Sequence, residues 1–311
     1  MSTQTSATVA PVALTAPVIA IIPAFNEERS LGSVVLRLRN LVDEVIVVND
    51  GSHDATAEVA RLAGATVIDH PTNHGYGSAI RTGLEAAERR KPAAVVLMDA
   101  DGQHRIEDVP LLLDSIVDGT ADIAVGSRFM DERTRVPTIR RFAQHGLTLL
   151  TNVGSGVALT DSQSGMRAFG PRAIKSLLIR SASMSAASEM QFLASDAQLR
   201  VREVPIQVRY YEEVKRSPLT HGLDVLNGIL LLISQRRPLI FFGLPGLALV
   251  LLSTFFGVDV LQTFERTRIL LVGQLIGSVA LSLVGVLALF TALVLNALQD
   301  LRRELHRRHA E

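Results

Sequence analysis

Two long uncharged stretches near the C-terminus constrain this chain more than any other feature. Ile269 to about Leu298 contains no Asp, Glu, Lys or Arg, and Leu239 to about Leu261 contains only Asp259, close to its end. Each is longer than the ~20 residues that carry a helix across a bilayer core. Buried core helices of a soluble protein are the competing reading, and two adjacent uncharged stretches of this length argue against it. The segment between them, Gln262 to Arg268, is expected to form the turn of a transmembrane hairpin, with Gly273 and Gly277 as a small-residue pair for helix packing. Gln235-Arg236-Arg237 precedes the first stretch, and Arg302, Arg303, Arg307 and Arg308 follow the second. The excess of basic residues on cytoplasmic flanks predicts that both ends face the cytoplasm. Arg266 and Arg268 pull the other way, but an even number of spans keeps both ends on one side. Leu219 to Ser234, with Leu223, Leu226, Ile229, Leu230 and Ile233 on one helical face, predicts either an amphipathic helix in the membrane interface or an ordinary domain helix.

The remainder has a different character. Residues 1–17 are rich in Thr, Ala, Ser and Pro and predict a disordered tail. The tail has no Lys or Arg, and prolines interrupt its apolar part, so a signal peptide is disfavoured. The 31 basic residues balance 31 acidic ones, which gives no electrostatic case for a nucleic-acid partner. The absence of cysteine removes disulfides, thiol nucleophiles and thiolate metal sites.

From Val18 to about Gly126 short apolar runs alternate with helical periodicity. Val18–Ile22, Val45–Val48, Thr66–Ile68, Ala94–Met98 and Asp122–Val125 read as strands, the apolar ones buried on both faces. Glu28–Val42, Asp54–Ala63 and Tyr76–Arg90 read as the helices between them. Such a series folds as a mainly parallel sheet with helices on both faces. Its ligands sit beyond the C-terminal strand ends.

Those ends carry polar motifs. Pro23-Ala24-Phe25-Asn26-Glu27 follows the first strand, Asn49-Asp50-Gly51-Ser52 the second, and Asp99-Ala100-Asp101-Gly102-Gln103-His104 the fourth. Taken singly, Asp-x-Asp is most often a turn or a helix cap. At a strand end, two carboxylates separated by one residue can also hold a hard cation, which in turn binds diphosphate oxygens. Consecutive strand ends carrying such motifs are far more specific than any one of them. The pattern after the first strand is not the glycine-rich turn of a dinucleotide-binding dehydrogenase.

The series resembles the family 2 glycosyltransferases of the GT-A fold, and within them the dolichol-phosphate mannose or glucose synthase group. The resemblance runs from Val18 to Tyr211. It rests on the motifs at 23–27, 47–52, 73–77 (Asn-His-Gly-Tyr-Gly), 99–103, 126–128 (Gly-Ser-Arg) and 161–167 (Asp-Ser-Gln-Ser-Gly-Met-Arg), in the family's order. It implies a plan of a 1–17 tail, an 18–215 catalytic domain, a 216–237 juxtamembrane helix, two spans over 238–298 and a basic tail at 299–311. It also implies inverting transfer of a hexose from a nucleotide-diphosphate sugar to a dolichyl or undecaprenyl phosphate at the cytoplasmic membrane face, with a homo-oligomer left open.

The resemblance implies roles residue by residue. Pro23, Phe25, Glu27 and Asp50 would line the nucleotide pocket, and Asp99, Asp101 and Gln103 would hold Mg²⁺ or Mn²⁺ and the diphosphate. Asp161, Asp101 and Arg128 would be catalytic, with Asp161 as the base, and Arg167 would contribute to the donor site. Arg128, Arg140, Arg141, Lys215, Arg216 and Ser217 would meet the lipid phosphate. His53, His74, His104 and His145 match no metal spacing and read as surface or supporting residues. Phe25 stands where many members have Tyr, Tyr76 where Lys is common, and Met166 where Phe is usual. A diacylglycerol acceptor and a nucleotide-sugar-binding scaffold are the alternatives, and the intact Asp99 and Asp101 speak against the scaffold. A polysaccharide synthase is disfavoured by the absence of tryptophan and by only two candidate spans.

Overall fold

The computed structural model describes residues 16–130, 138–209 and 218–308. The expected tail falls almost wholly outside them, as do Lys215, Arg216 and Ser217 and residues 309–311. Seven strands form one sheet: β1 (Val18–Ala24), β2 (Glu44–Asn49), β3 (Thr66–Asp69), β4 (Ala94–Leu97), β5 (Ile123–Ser127), β6 (Arg167–Phe169) and β7 (Val201–Pro205). Their order is β3-β2-β1-β4-β6-β5-β7. Every pairing is parallel except those of β6, which runs antiparallel between β4 and β5. The five strands expected from apolar runs are present, and the order reverses beside β1, so the crevice lies past Ala24 and Leu97.

The alternation of β1 accounts for the two helical layers. Val18, Ala20, Ile22 and Ala24 pack on one face with Leu31, Val34, Val35 and Leu38 of α1 (Leu31–Leu38), Ala60 of α2 (Thr56–Leu62), and Val109, Leu112 and Ile116 of α4 (Val109–Val117). Ile19 and Ile21 pack on the other with α3 (Tyr76–Glu88), α6 (Pro171–Ser176) and α7 (Ala186–Asp196). A buried β1 thus serves both cores, which is why it carries no polar residue.

Two helices lead to the long apolar C-terminal segment. α5 (Thr138–Ser155) and α8 (Pro218–Arg236) pack together, and Val225, Ile229 and Ile233 of α8 close on Phe192 of α7. The inner stripe of α8 is therefore offset from the expected one, and Leu223 is exposed. A π-helical segment, Leu239–Gly243, leads into α9 (Leu244–Thr267), and α10 (Val272–Arg308) returns. Two stretches, Leu239–Thr267 and Val272–Leu301, are long and apolar enough to cross a membrane, with mean hydropathies of 2.3 and 2.5, and form a candidate transmembrane hairpin.

Two details of the hairpin differ from expectation. α9 continues through Gln262–Thr267, which contains no helix breaker, so the turn shortens to residues 268–271 and begins at Arg268 in a left-handed conformation. Gly273 and Gly277 face open space. The close approach is made instead by Gly246 and Gly285, where a Cβ on either would lie 2.9 or 2.8 Å from the other's carbonyl oxygen. The sequence spacing identifies small residues, but only the crossing point decides which of them meet. Gly285→Val is expected to cost about 1–3 kcal/mol through overpacking, read as a lowered unfolding temperature in detergent. Gly277→Val should leave that temperature unchanged.

Candidate active site

The loops after β1 and β2 are laced to one another. Ser52 Oγ accepts a hydrogen bond from the Asn26 amide (3.0 Å), Thr56 Oγ1 one from the Glu27 amide (2.8 Å), and Asn26 Oδ1 one from the His53 amide (2.9 Å). Asn26 adopts a left-handed conformation (φ 55°), which Asn tolerates and which turns the loop back over the sheet end. Pro23, Phe25 and Glu27 are thereby held at the rim of a cavity of about 3190 Å³. Phe25 meets the His53 ring edge-on at 6.3 Å.

Asp50 lines the same cavity but is almost wholly buried and already well bonded. Oδ1 accepts from the His74 amide (2.9 Å) and lies 2.7 Å from His70 Nδ1, while Oδ2 accepts from the Gly75 amide (2.8 Å). Its observed work is to clamp residues 73–77 to the end of β2. His70, which the sequence reading did not single out, completes the clamp through Thr82 Oγ1 at 3.0 Å.

That clamp places Tyr76 against the carboxylates after β4. Tyr76 OH donates to Asp99 Oδ1 (2.8 Å), and His104 Nε2 lies 3.3 Å from Asp99 Oδ2. Gly165 passes so close that a Cβ there would sit 2.0 Å from Asp99 Oδ2, so any side chain at 165 would have to displace the Asp99 carboxylate. Burial pushes the Asp99 carboxyl up, but the hydrogen bonds from His104 and Tyr76 and the charge of Arg128 outweigh it, and the net shift is downward. Burial and the Asp99 charge push Asp101 up. Tyr76 is held well above its ordinary value by burial and then by Asp99, so it remains a neutral donor.

Among the described residues no three His, Cys, Asp or Glu side chains gather as a metal site. A diphosphate-bound cation needs fewer, because Mg²⁺ keeps several waters and takes one or two carboxylates plus phosphate oxygens. Asp99 and Asp101 fit that requirement. Burial first and then the Asp99 charge raise Asp101, and a cation beside the two carboxylates would offset that charge. Asp101 Oδ1 accepts from the Gln103 amide (3.0 Å), which fixes the loop, and the Gln103 side chain lines the cavity.

Arg128 forms part of the other wall and is backed by the buried Asp161. Arg128 Nε and Nη2 donate to the two Asp161 oxygens at 2.6 and 2.7 Å, and the Arg128 amide adds a third bond at 3.2 Å. Asp161 is fully buried and does not line the cavity, whereas Arg128 does. Arg167 is also buried beneath the floor, donating to the carbonyls of Ser162 (2.7 Å) and Ser164 (3.0 Å). Burial lowers its pKa, and the attraction of the Asp161 and Asp99 carboxylates works against that. Glu203 of β7 fixes the turn by accepting from the Thr160 and Asp161 amides at 2.8 and 3.0 Å. Arg141 is exposed on α5 away from the cavity, and Arg140 is placed only as part of the first turn of α5.

The structure thus gathers Pro23, Phe25, Glu27, Asp50, Asp99, Asp101, Gln103 and Arg128 around one cavity. Asp161 and Arg167 lie beneath it, and Arg141 lies apart. The sequence reading missed the roles of His70, Tyr76, Gly165 and Glu203, and its reading of His104 as a surface or supporting residue fits the contact with Asp99.

The sequence profile of glycosyl transferase family 2 matches residues 19–177. The chain belongs to this family. An undecaprenyl-phosphate mannosyltransferase of Micrococcus luteus is 35% identical over 224 residues, 68% of this chain and 91% of the relative. A UDP-N-acetylglucosamine–dolichyl-phosphate N-acetylglucosaminyltransferase of Methanococcus voltae is 32% identical over 230 residues, 67% of this chain and 90% of the relative. Among solved structures, glucosyl-3-phosphoglycerate synthase from Mycobacterium tuberculosis, crystallised with Mn²⁺, UDP-glucose and phosphoglyceric acid, superposes with a TM-score of 0.56 at 22% identity. That match covers 71% of this chain and 80% of the other, and establishes the GT-A fold. The protein is a family 2 glycosyltransferase carrying a candidate transmembrane hairpin.

The Arg128–Asp161 pair gives this glycosyltransferase a direct test. Asp161→Ala leaves a buried guanidinium without its counter-ion, and a loss of about 3–5 kcal/mol is expected, measured by denaturant unfolding of the detergent-solubilised protein.

Proposed function

We propose that this glycosyltransferase moves a hexose from a nucleotide-diphosphate sugar to a polyprenyl phosphate at the cytoplasmic face of the membrane, with inversion at the anomeric carbon. The observation that carries the reading is the continuity of one cavity. It runs from Asp99, Asp101 and Arg128 to Leu147 and Leu150 of α5, Leu231 and Leu232 of α8, and Gln299 of the hairpin. A charged donor end and an apolar end beside the candidate spans suit an acceptor with a phosphate head and an isoprenoid tail. The names of the Micrococcus and Methanococcus relatives point the same way.

In this reading Pro23 and Phe25 form the wall against which the nucleotide stacks, and Glu27 faces the same pocket. Asp50 shapes the pocket by holding residues 73–77. Asp99 and Asp101 hold the divalent cation, Mg²⁺ or Mn²⁺, which when bound neutralises the departing diphosphate. Gln103 sets the position of Asp101 through its amide. Arg128 presents its guanidinium to phosphate, a geometry that favours bidentate contact. Asp161, with both oxygens engaged, acts by orienting Arg128. Arg167 holds the turn that carries Asp161 and Gly165.

The acceptor chemistry makes a strong base unnecessary. A phosphate monoester has its second pKa near ~6 and is mostly dianionic at neutral pH. A phosphate oxygen attacks the anomeric carbon, the bond from that carbon to the donor diphosphate breaks, and the nucleoside diphosphate leaves with the electron pair. Attack opposite the leaving group inverts the centre. Both ends of the hairpin, and with them the catalytic domain, lie on the cytoplasmic side. Lys215, Arg216 and Ser217, outside the described residues, are assigned with Arg128 to the acceptor phosphate.

The test is a screen of radiolabelled nucleotide sugars against undecaprenyl phosphate, using membranes that contain the protein. One donor should label the lipid fraction, EDTA should abolish the label, and Mg²⁺ or Mn²⁺ should restore it. No labelled lipid with any common nucleotide sugar would overturn the proposal.

A further inference from the structure

The motif at 161–167 contains one cavity-lining side chain without a task so far, Gln163. Its nitrogen faces the protein. Nε2 donates to Ser162 Oγ (2.9 Å) and to Ser188 Oγ (2.8 Å), which uses both hydrogens of the amide. The oxygen and nitrogen of an amide are nearly identical in shape, so the hydrogen bonds must fix its direction. A chain of buried hydroxyls does so here. Thr151 Oγ1 donates to the Leu147 carbonyl (2.8 Å), and its single hydrogen is then spent. The Ser188 hydroxyl, 3.2 Å from Thr151 Oγ1, must therefore donate to it, and can only accept from Gln163. Ser162, Ser188 and Thr151 are fully buried, so these bonds are shielded from water. What Gln163 presents to the cavity is thus Oε1, which can only accept.

The position of Gln163 says what it accepts from. It lies two residues after Asp161, which is paired to Arg128, and two before Gly165, which packs against Asp99. Two residues of chain reach at most about 7 Å, so Gln163 stands in the gap between the arginine and the carboxylates. In the proposed reaction the departing diphosphate sits at Asp99 and Asp101, and the attacking phosphate at Arg128. The group between them is the sugar in transfer. Phosphate oxygens are acceptors and are repelled by a carbonyl oxygen, whereas sugar hydroxyls can donate. A neutral acceptor held in this gap suits a hydroxyl and neither phosphate.

We propose that Gln163 is a specificity-determining residue whose Oε1 accepts a hydrogen bond from one hydroxyl of the transferred hexose. Ser188 and Thr151 are positioning residues that hold the amide in that direction. The inference rests on the reading of the cavity as a nucleotide-sugar site, and is independent of the acceptor. It gives the buried polar side of α5 a purpose, because Thr151 of α5 and Ser188 of α7 form the far end of a chain that ends on the sugar. A sugar lacking that hydroxyl, or carrying it in the opposite configuration, leaves Oε1 without a donor, and a site built to bond a hydroxyl rejects such an analogue.

The test reads donor binding with no acceptor present. The full-length protein in detergent with Mg²⁺ is titrated by calorimetry with UDP-glucose and GDP-mannose. The tighter of the two is then compared with its 2-, 3-, 4- and 6-deoxy analogues and with its nucleoside diphosphate alone. In the unaltered protein one deoxy analogue should bind about tenfold more weakly than the parent. Gln163→Met keeps the length of the side chain and removes the acceptor. It should bind the parent about tenfold more weakly, and that one analogue no worse than the parent. The penalties at the other positions, and the affinity for the nucleoside diphosphate, should stay within about twofold. Ser188→Ala, which leaves Gln163 in place, should lose part of the same single-position penalty. Absence of a single-position penalty in the unaltered protein overturns the proposal, as does a penalty that persists in Gln163→Met. A variant that loses the nucleoside diphosphate as strongly as the nucleotide sugar marks a merely structural residue and also overturns it. Failure to label lipid in the screen above, with the single-position result obtained, overturns the polyprenyl acceptor and leaves this inference standing. Failure of both nucleoside diphosphates to bind overturns the donor site itself.

Discussion

The buried pair of Arg128 and Asp161 is the interaction around which the donor site is built. A guanidinium and a carboxylate taken out of water are tolerated only when each satisfies the other with good geometry. Here the pair is bidentate and closed by a third bond from the Arg128 amide. The alternation of charge continues beneath the cavity, where Arg167 feels the attraction of both Asp161 and Asp99. The antiparallel β6 has its physical role here. It sets Arg167 in register with Leu97 of β4 and Val125 of β5, just short of Asp99 and Arg128 at the ends of those strands. One short strand thus places a cation between the two halves of the site. The same segment brings Gly165 against Asp99, where a larger residue would displace the carboxylate.

A second set of contacts joins this site to the candidate transmembrane hairpin. The arginines before the first span are partnered by the catalytic domain. Arg236 pairs with Asp196 at the end of α7, and Arg237 bonds the end of α5. Gln299 of α10 reaches the Gln235 carbonyl. Residues that read in the sequence as flanking charges therefore also fix the direction in which the hairpin leaves the sheet domain. In the proposed reaction one substrate comes from water and the other from lipid, so that direction must be fixed, because a shift of about 1 Å between reacting groups is enough to cost rate.

The parts of the fold that follow from local rules were legible. Continuous apolar runs gave β1, β2 and β4, helical periodicity gave α1 and α3, and uncharged length gave the hairpin. Polar residues at strand ends pointed to the site because the crevice of such a sheet lies there. The rest depends on partners distant in sequence. β6 is three residues long and begins with a buried arginine, so no apolar run marks it. α5 buries Thr148, Thr151 and Ser155 and exposes Phe142, Leu149 and Val153, the reverse of the periodicity that marks a surface helix. The resemblance implied a base at Asp161, and only the fold shows that Arg128, 33 residues away in the chain, occupies both its oxygens. Tyr76 stood out only as a departure from a family pattern, and its bond to Asp99 needed the fold to appear.

The central claim is that a phosphate oxygen of a membrane lipid displaces a nucleoside diphosphate in one step, within a site that supplies orientation and charge rather than a strong base. The most direct measurement is the structure of the product by NMR, from an α-linked nucleotide sugar and a polyprenyl phosphate. The account predicts a β anomeric centre whose proton couples to a single phosphorus, the mark of a phosphodiester between sugar and lipid. An α anomeric centre, or a sugar joined to a hydroxyl with no phosphorus coupling, would contradict it.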